Sequence, residues 1–187
     1  KEFAQEHEAK FLGSGDNVFD EDTIEHYDEY MRTPPLYQIG PEKNFWIWRE
    51  PNHADNNSYI VCADPARGDG TDFSAFHVLE AETCEQVAEF RGKVETDVFG
   101  HLLVEVATKY KDALLIIDNS SIGNSTIQTV VNRGYKNLFY MEEDHKVIDG
   151  RVLFSGFTSE RKRVPGFTIS LKTRPLLVDR LSEFFRS

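Results

Sequence analysis

Cysteine is scarce in this chain of 187 residues: its two, Cys62 and Cys84, both fall inside apolar, strand-like runs. That placement reads as small buried hydrophobes, excludes a disulfide scaffold or a thiolate metal cluster, and suits a reducing compartment. No apolar run approaches the length of a membrane span, and Glu2 to Lys10 is charged throughout, so there is no secretory apolar segment. The Gly-x-x-x-x-Gly-Lys-Ser/Thr phosphate loop is missing, so ATP hydrolysis is not encoded here. The six histidines show no pairing at ligand spacing, and His77 and His101 read as structural or solvated. Internal repeats and low-complexity tracts are lacking as well. The length suits one domain with a real core, and Lys1 in the place of Met makes a piece of a longer protein the expectation.

Positive charge is in short supply overall, with a net charge of −11, which at first sight argues against nucleic acid because phosphate contacts need Lys and Arg. The charge is polarised, however. Residues 1–50 hold 12 acids against 5 bases, whereas residues 151–187 hold 8 bases against 3 acids. If DNA is bound, Arg161, Lys162 and Arg163 in that basic third are the expected phosphate contacts, a solvated loop being the alternative.

What is present is a regular order of elements. Residues 1–57 mix acidic stretches, the pair Pro34-Pro35 and the run Phe45-Trp46-Ile47-Trp48 without sustained periodicity, and read as an arm lying on a domain. Ser58 to Ala63 is a continuous apolar run stopped by Asp64-Pro65, a strand expected to be buried on both faces. A Gly-rich turn, Arg67 to Asp72, leads to strands over Phe73–Leu79 and Glu85–Arg91. Phe99, Leu102, Leu103, Val106 and Tyr110 then fall at helical spacing after a Thr96 cap, with Asp97 in the first turn. Ala113 to Ile117 is a second buried strand ending in a carboxylate, Asp118, followed by a helix over Ile122–Arg133 and a strand over Asn137–Met141. Phe167 to Lys172 reads as a further strand, and Pro175 opens a helix with Leu177, Leu181, Phe184 and Phe185 on one face.

An antiparallel meander, a crossover helix, then a parallel strand and helix is the order of a ribonuclease H-like α/β fold, a mixed sheet flanked by helices. In that topology the first and fourth strands are neighbours, about 4.8 Å apart, and Asp64 and Asp118 end those two strands. Such a pair can hold Mg²⁺ or Mn²⁺, hard cations that prefer carboxylate oxygens and that promote phosphodiester cleavage as a two-metal site. One acid after a strand is ordinary; two, after strands that should be adjacent, point to a site. Asp72 stands equally as a third ligand and as a turn residue, and Asp69 is better read as a turn residue. Gly68 and Gly70 either supply positive φ or let a phosphate approach the backbone. Arg67 either touches DNA or is solvated, and Asn119 to Ser125 either caps the following helix, the favoured reading, or positions a phosphate.

These same residues carry a resemblance. Tyr59 to Ser74, reading Tyr-Ile-Val-Cys-Ala-Asp-Pro-Ala-Arg-Gly-Asp-Gly-Thr-Asp-Phe-Ser, resembles the first nuclease motif of the large terminases of tailed phages. Leu115 to Gly123 resembles the second, Gln5 to Gly15 is similar to the family's segment between ATPase and nuclease domains, and Lys172-Thr173-Arg174-Pro175 matches its later course. The resemblance implies that residues 1–57 are a linker from an N-terminal ATPase domain and residues 58–187 the nuclease domain. It also implies cleavage of concatemeric double-stranded DNA during packaging into a procapsid, portal and small-terminase partners, and a place in the host-cell cytoplasm.

One departure stands out. The family carries a third metal-binding acid in an Asp-Asp pair opening a helix, and nothing after Lys172 matches it. Asp179 and Glu183 read as a solvated helix face, and Glu142, Glu143 and Asp144 come too early. The third ligand is therefore expected beyond residue 187, and this chain is expected to hold Mg²⁺ poorly and to cut weakly, with Mn²⁺ partly restoring it. Competing readings are a resolvase- or integrase-type nuclease sharing Asp64 and Asp118, and a catalytically inactive docking module. An actin- or Hsp70-like domain needs a duplication that this length cannot hold.

Overall fold

The computed structural model describes Phe19 and residues 21–120, 122–142 and 163–186. In chain order the elements begin with α1 (Glu21–His26), which continues as a π-helical turn (Tyr27–Met31), then β1 (Tyr37–Ile39), β2 (Phe45–Ile47), β3 (Tyr59–Asp64), β4 (Ser74–Glu80) and β5 (Gln86–Gly92). They go on with α2 (Thr96–Lys109), β6 (Leu114–Ile117), α3 (Gly123–Asn132), β7 (Tyr140–Glu142), β8 (Arg163–Pro165) and α4 (Thr173–Arg186). The chain divides into two compact units, one of residues 1–34 with 170–187 and one of residues 35–169.

The larger unit holds a six-stranded mixed sheet in the order β1-β2-β5-β4-β3-β6. Every pair is antiparallel except β3 with β6, which run parallel from Ile60 opposite Leu114 to Ala63 opposite Ile117. The parallel pair is possible because α2 carries the chain back across the sheet. Phe99, Leu103, Val106 and Ala107 of α2 recur at helical spacing and are all buried. They close one face of the sheet together with Val61, Phe76, Val78, Leu115 and Ile117, all without solvent exposure. Phe76 is the centre of an aromatic cluster, with the rings of Phe45, Phe90 and Phe99 at 5.3, 5.4 and 6.3 Å. Truncating a ring so enclosed costs about 3–5 kcal/mol in other cores. The Thr126 hydroxyl, fully buried on α3, donates to the Thr96 carbonyl at 3.1 Å and ties the two helices together.

Six sequence expectations need correction. The continuous apolar run predicts β3 buried on both faces, but Tyr59, Val61 and Ala63 are buried while Ile60 and Cys62 are only half-covered. The alternation is that of a sheet with one fully closed face. Residues 35–57 are not an arm, since β1 and β2 extend the sheet, with Phe45 opposite Phe90 and Ile47 opposite Ala88. Helix α2 begins one residue earlier than a Thr96 cap allows, with Glu95 at the cap position and no side-chain cap bond. Phe167–Lys172 is no strand: Phe167 makes an isolated bridge to Asp118, and the Thr168 backbone N–H goes to the Met141 sulfur instead of a ladder. The expected strand over Asn137–Met141 is reduced to an isolated bridge at Leu138 and to β7, which pairs with β8 in a separate two-stranded sheet. Cys84 is exposed, at a left-handed φ of 58° in the β4–β5 turn.

In the smaller unit the Phe185 ring of α4 meets the rings of Phe19 and Tyr27 edge-on at 5.2 and 4.8 Å. Helix α4 starts two residues before Pro175, where the Ser170 hydroxyl accepts the Thr173 backbone N–H at 3.1 Å and the Thr173 hydroxyl accepts the Ser170 N–H at 2.8 Å. No helix among the described residues is long and apolar enough to cross a membrane.

Candidate active site

Parallel pairing decides what meets at the end of the sheet. Ala63 lies opposite Ile117, so the next position along each strand is a carboxylate, Asp64 on one and Asp118 on the other. The Asp118 backbone N–H donates to the Ala63 carbonyl at 3.0 Å, which holds the two chain ends together. In-register neighbours on parallel strands project to the same face. Both acids therefore lie side by side at one edge, Asp64 exposed and Asp118 half-buried.

The loop after Asp64 is built to stay open beside them. The Ser74 hydroxyl, fully buried, accepts the Ala66 N–H at 2.9 Å and donates to the Ala66 carbonyl at 3.3 Å, closing the loop at its neck. Gly68 has a φ of 81°, and a Cβ there would lie 2.5 Å from the Val94 carbonyl oxygen, so no other residue fits. Gly70 does not share that conformation; it lines a small open cavity of about 230 Å³ whose walls also include Asp64, Arg67, Asp72, Phe73 and Ile122. Asp72 thus faces the same space as Asp64.

Asp118 is oriented by its own turn. The Ser120 N–H donates to one carboxylate oxygen at 3.0 Å and the Ser120 hydroxyl to the other at 2.6 Å. The expected capping of α3 by this segment is not what these groups do. Ile122 occupies the cap position with no side-chain bond, and the buried Asn119 amide donates to the Pro165 carbonyl at 3.1 Å while accepting the Thr168 hydroxyl at 2.9 Å. The first residue of α3 must be glycine, because a Cβ at Gly123 would fall 1.7 Å from the Asp118 carbonyl oxygen. Sequence reading misses Ser120 and Gly123 as supports of Asp118, although both follow closely in the turn after the acid.

Partial desolvation at the sheet edge first, and then the neighbouring Asp118 and Asp72 carboxylates, push the Asp64 carboxyl above its ordinary value although the residue as a whole is exposed. Among the described residues none of the three has an Arg, Lys or His partner within 4.0 Å. Like charges gathered without a cation are the donor chemistry that suits a hard divalent ion. No three His, Cys, Asp or Glu side chains among the described residues are grouped to hold an ion.

Arg67 lines the cavity, but its guanidinium pairs with Asp69 at 3.3 Å in a well-exposed ion pair, the sort that contributes at most about 1 kcal/mol. Arg161, Lys162, Glu143 and Asp144 lie outside the described residues. Arg163 opens β8, exposed, opposite Glu142. His77 contacts Gln86 at 2.9 Å and His101 contacts Arg133 at 2.9 Å, and neither touches the acids. A further group that the sequence does not single out is Phe73, whose ring carries the Arg91 guanidinium at 3.9 Å and the Lys93 ammonium at 5.3 Å. Exposed stacking of this kind contributes about 0.5–1 kcal/mol.

No family model matches the chain, and no curated protein matches it by sequence. Solved structures do. The large terminase nuclease from thermophilic phage G20c, in one crystal with bound magnesium and in another with bound cobalt, superposes with a TM-score of 0.60 at 13% identity, over 92% of this chain and 71% of that one. Another crystal structure of the same nuclease matches with a TM-score of 0.46 at 18% identity, over 54% of this chain and 50% of that one. The chain therefore spans from half to about seven-tenths of the length of these nucleases. A mixed sheet of six strands with four helices, two acids ending its one parallel pair, and this superposition agree on one conclusion: the chain has the fold of the nuclease domain of phage large terminases.

Proposed function

We propose that this chain is a divalent-metal-dependent endonuclease that cuts concatemeric double-stranded phage DNA during genome packaging into a procapsid. The observation that carries the reading is the pairing of β3 with β6, which ends in Asp64 and Asp118 on one face. The order β5-β4-β3-β6, with Leu138 bridged in parallel to Leu115 beyond it, supports a ribonuclease H-like topology. The phage G20c nuclease, of the same fold, has been crystallised with magnesium and with cobalt, which supports a divalent ion here, proposed as Mg²⁺ or Mn²⁺.

Asp64 and Asp118 are the residues that would hold the ion, with Asp72 reaching the same space from the loop. A bound divalent cation supplies the charge that activates a water and stabilises the leaving oxygen in phosphodiester hydrolysis. Ser120 fixes both oxygens of Asp118, so that carboxylate is oriented before any ligand arrives. Gly70 leaves the cavity floor without a side chain, room that a phosphodiester needs to approach the backbone. In this reading the segment preceding the sheet leads from a separate ATPase domain, a portal protein and a small terminase subunit are the partners, and the work is done in the host-cell cytoplasm.

An inactive docking module is the second reading, favoured by the lack of a grouped set of three ligands among the described residues. Calorimetric titration with Mn²⁺, run beside nicking of supercoiled plasmid, separates the two. The nuclease reading expects weak Mn²⁺ binding and slow nicking by the native chain, both abolished in Asp118→Asn at an unchanged thermal midpoint. A native chain that takes up no Mn²⁺ and leaves plasmid intact belongs to the docking module.

A further inference from the structure

Half of the described bases of the larger unit are committed to internal partners. Arg49 pairs with Glu80 and Glu85, Lys109 with Glu50, Arg133 with Glu105, and the Lys111 ammonium donates to the carbonyls of Asp55 and Asn57. Arg91 and Lys93 are different. Both are exposed, and among the described residues neither has a carboxylate within 4.0 Å. They sit at the end of β5, where Arg91 lies opposite Ala75, two residues after Phe73. Strand alternation sends positions 91 and 93 to one side, and there both cations gather on the Phe73 ring, at 3.9 and 5.3 Å. Phe73 is in turn a wall of the cavity that holds Asp64 and Asp72.

From this arrangement we infer that Arg91 and Lys93, seated on Phe73, bind phosphates and hold the backbone of duplex DNA at the mouth of the acidic cavity. The inference rests on the nuclease reading and adds to it where the DNA lies. A guanidinium lying flat on a ring keeps its in-plane N–H donors turned outward, the fork geometry that matches a phosphate. With Arg91 over its face, the ring serves as a platform for the arginine, not as a stacking surface for an unpaired base. An entering phosphodiester would meet repulsion from Asp64 and Asp72, and two adjacent cations without acidic partners offset that repulsion at the rim.

The test is the affinity of the chain for a short fluorescent DNA duplex, measured by anisotropy across a KCl series in metal-free buffer. Arg91→Gln with Lys93→Gln should reduce the slope of log K against log salt by about 0.9 for each phosphate no longer neutralised, hence by about 1.8 for the pair. Arg91→Lys with Lys93→Arg, which keeps both charges, should retain the native slope. A native slope that survives the double glutamine variant removes these residues from the DNA path and leaves the nuclease reading standing. A native chain with no salt-dependent binding at all overturns the nuclease reading and this inference together. An equal fall in slope in the charge-keeping swap would assign the effect to packing on Phe73 and also overturn the inference.

Discussion

The two ends of β3 and β6 treat charge in opposite ways. Where the strands begin, the charged groups are held by partners. Glu80, 6% exposed and opposite Tyr59, accepts hydrogen bonds from Asn57 at 2.6 Å, Thr83 at 2.8 Å and Arg49 at 3.3 Å, which together hold its carboxyl below the usual range. Lys111, just before β6, donates to the carbonyls of Asp55 and Asn57 at 2.6 and 2.7 Å and to the Asn57 side chain at 3.0 Å. The fully buried Tyr110 hydroxyl donates to the Arg49 carbonyl at 2.9 Å, and burial, aided by Glu50 and Tyr59, pushes its ionisation far up. Where the strands end, Asp64 feels the charges of Asp72 and Asp118, none of the three has a cationic partner among the described residues, and Asp64 is pushed the other way from Glu80. One end uses its charged groups to hold the fold; the other keeps acids in mutual repulsion, an arrangement that suits a cationic ligand.

The sharpest way to break this contrast is Asp64→Asn. Cutting should fall by more than about a hundredfold, beyond what even an outer partner of a metal ligand commands, while the thermal midpoint holds or rises because a like-charge repulsion has been relieved. Plasmid nicking and a thermal melt on the same preparation check both halves, and a drop in midpoint would make Asp64 a structural residue after all. At the opposite end Lys111→Met keeps the aliphatic stem but strands three acceptors, and should destabilise the fold by about 2 kcal/mol in urea titration, the scale of hydrogen bonds to a charged group. Mn²⁺ binding by the folded fraction should not change.

The smallest effect expected is that of Glu80→Gln, and it carries a pH signature. A carboxyl held below its unfolded value stabilises the fold above that unfolded value and loses the contribution as pH falls through the folded one. The variant should therefore melt below the native protein at neutral pH, with the gap closing in acid. A gap that is constant with pH would mean that the Glu80 charge is not what Asn57, Thr83 and Arg49 recognise.

Much of this is legible in the sequence because apolar runs and their terminators are local signals. Tyr59 to Asp64 and Leu114 to Ile117 announce themselves by composition, and the helix between them by spacing, so the convergence of Asp64 with Asp118 follows from topology. β1 and β2 are not legible, since three residues such as Phe45-Trp46-Ile47 show too little alternation to separate a short strand of the sheet from an arm. Phe167 to Lys172 misleads for a different reason: Thr168 commits its N–H to Met141 and its hydroxyl to Asn119, bonds that compete with a ladder and that no pattern displays. The seat of Arg91 and Lys93 on Phe73 is invisible in one dimension because it forms across strands.

The parallel pairing of β3 with β6 has a consequence for when the chain acquires its chemistry. Asp64 ends the first strand of a meander, and Asp118 arrives only after two hairpin strands and a crossover helix have been placed. Hairpins close early and at small entropic cost, whereas a parallel neighbour needs a long loop to be shut first. A nascent or partly folded chain consequently has its two acids far apart, and under the proposed nuclease reading any capacity to cut DNA is latent until β6 docks on β3.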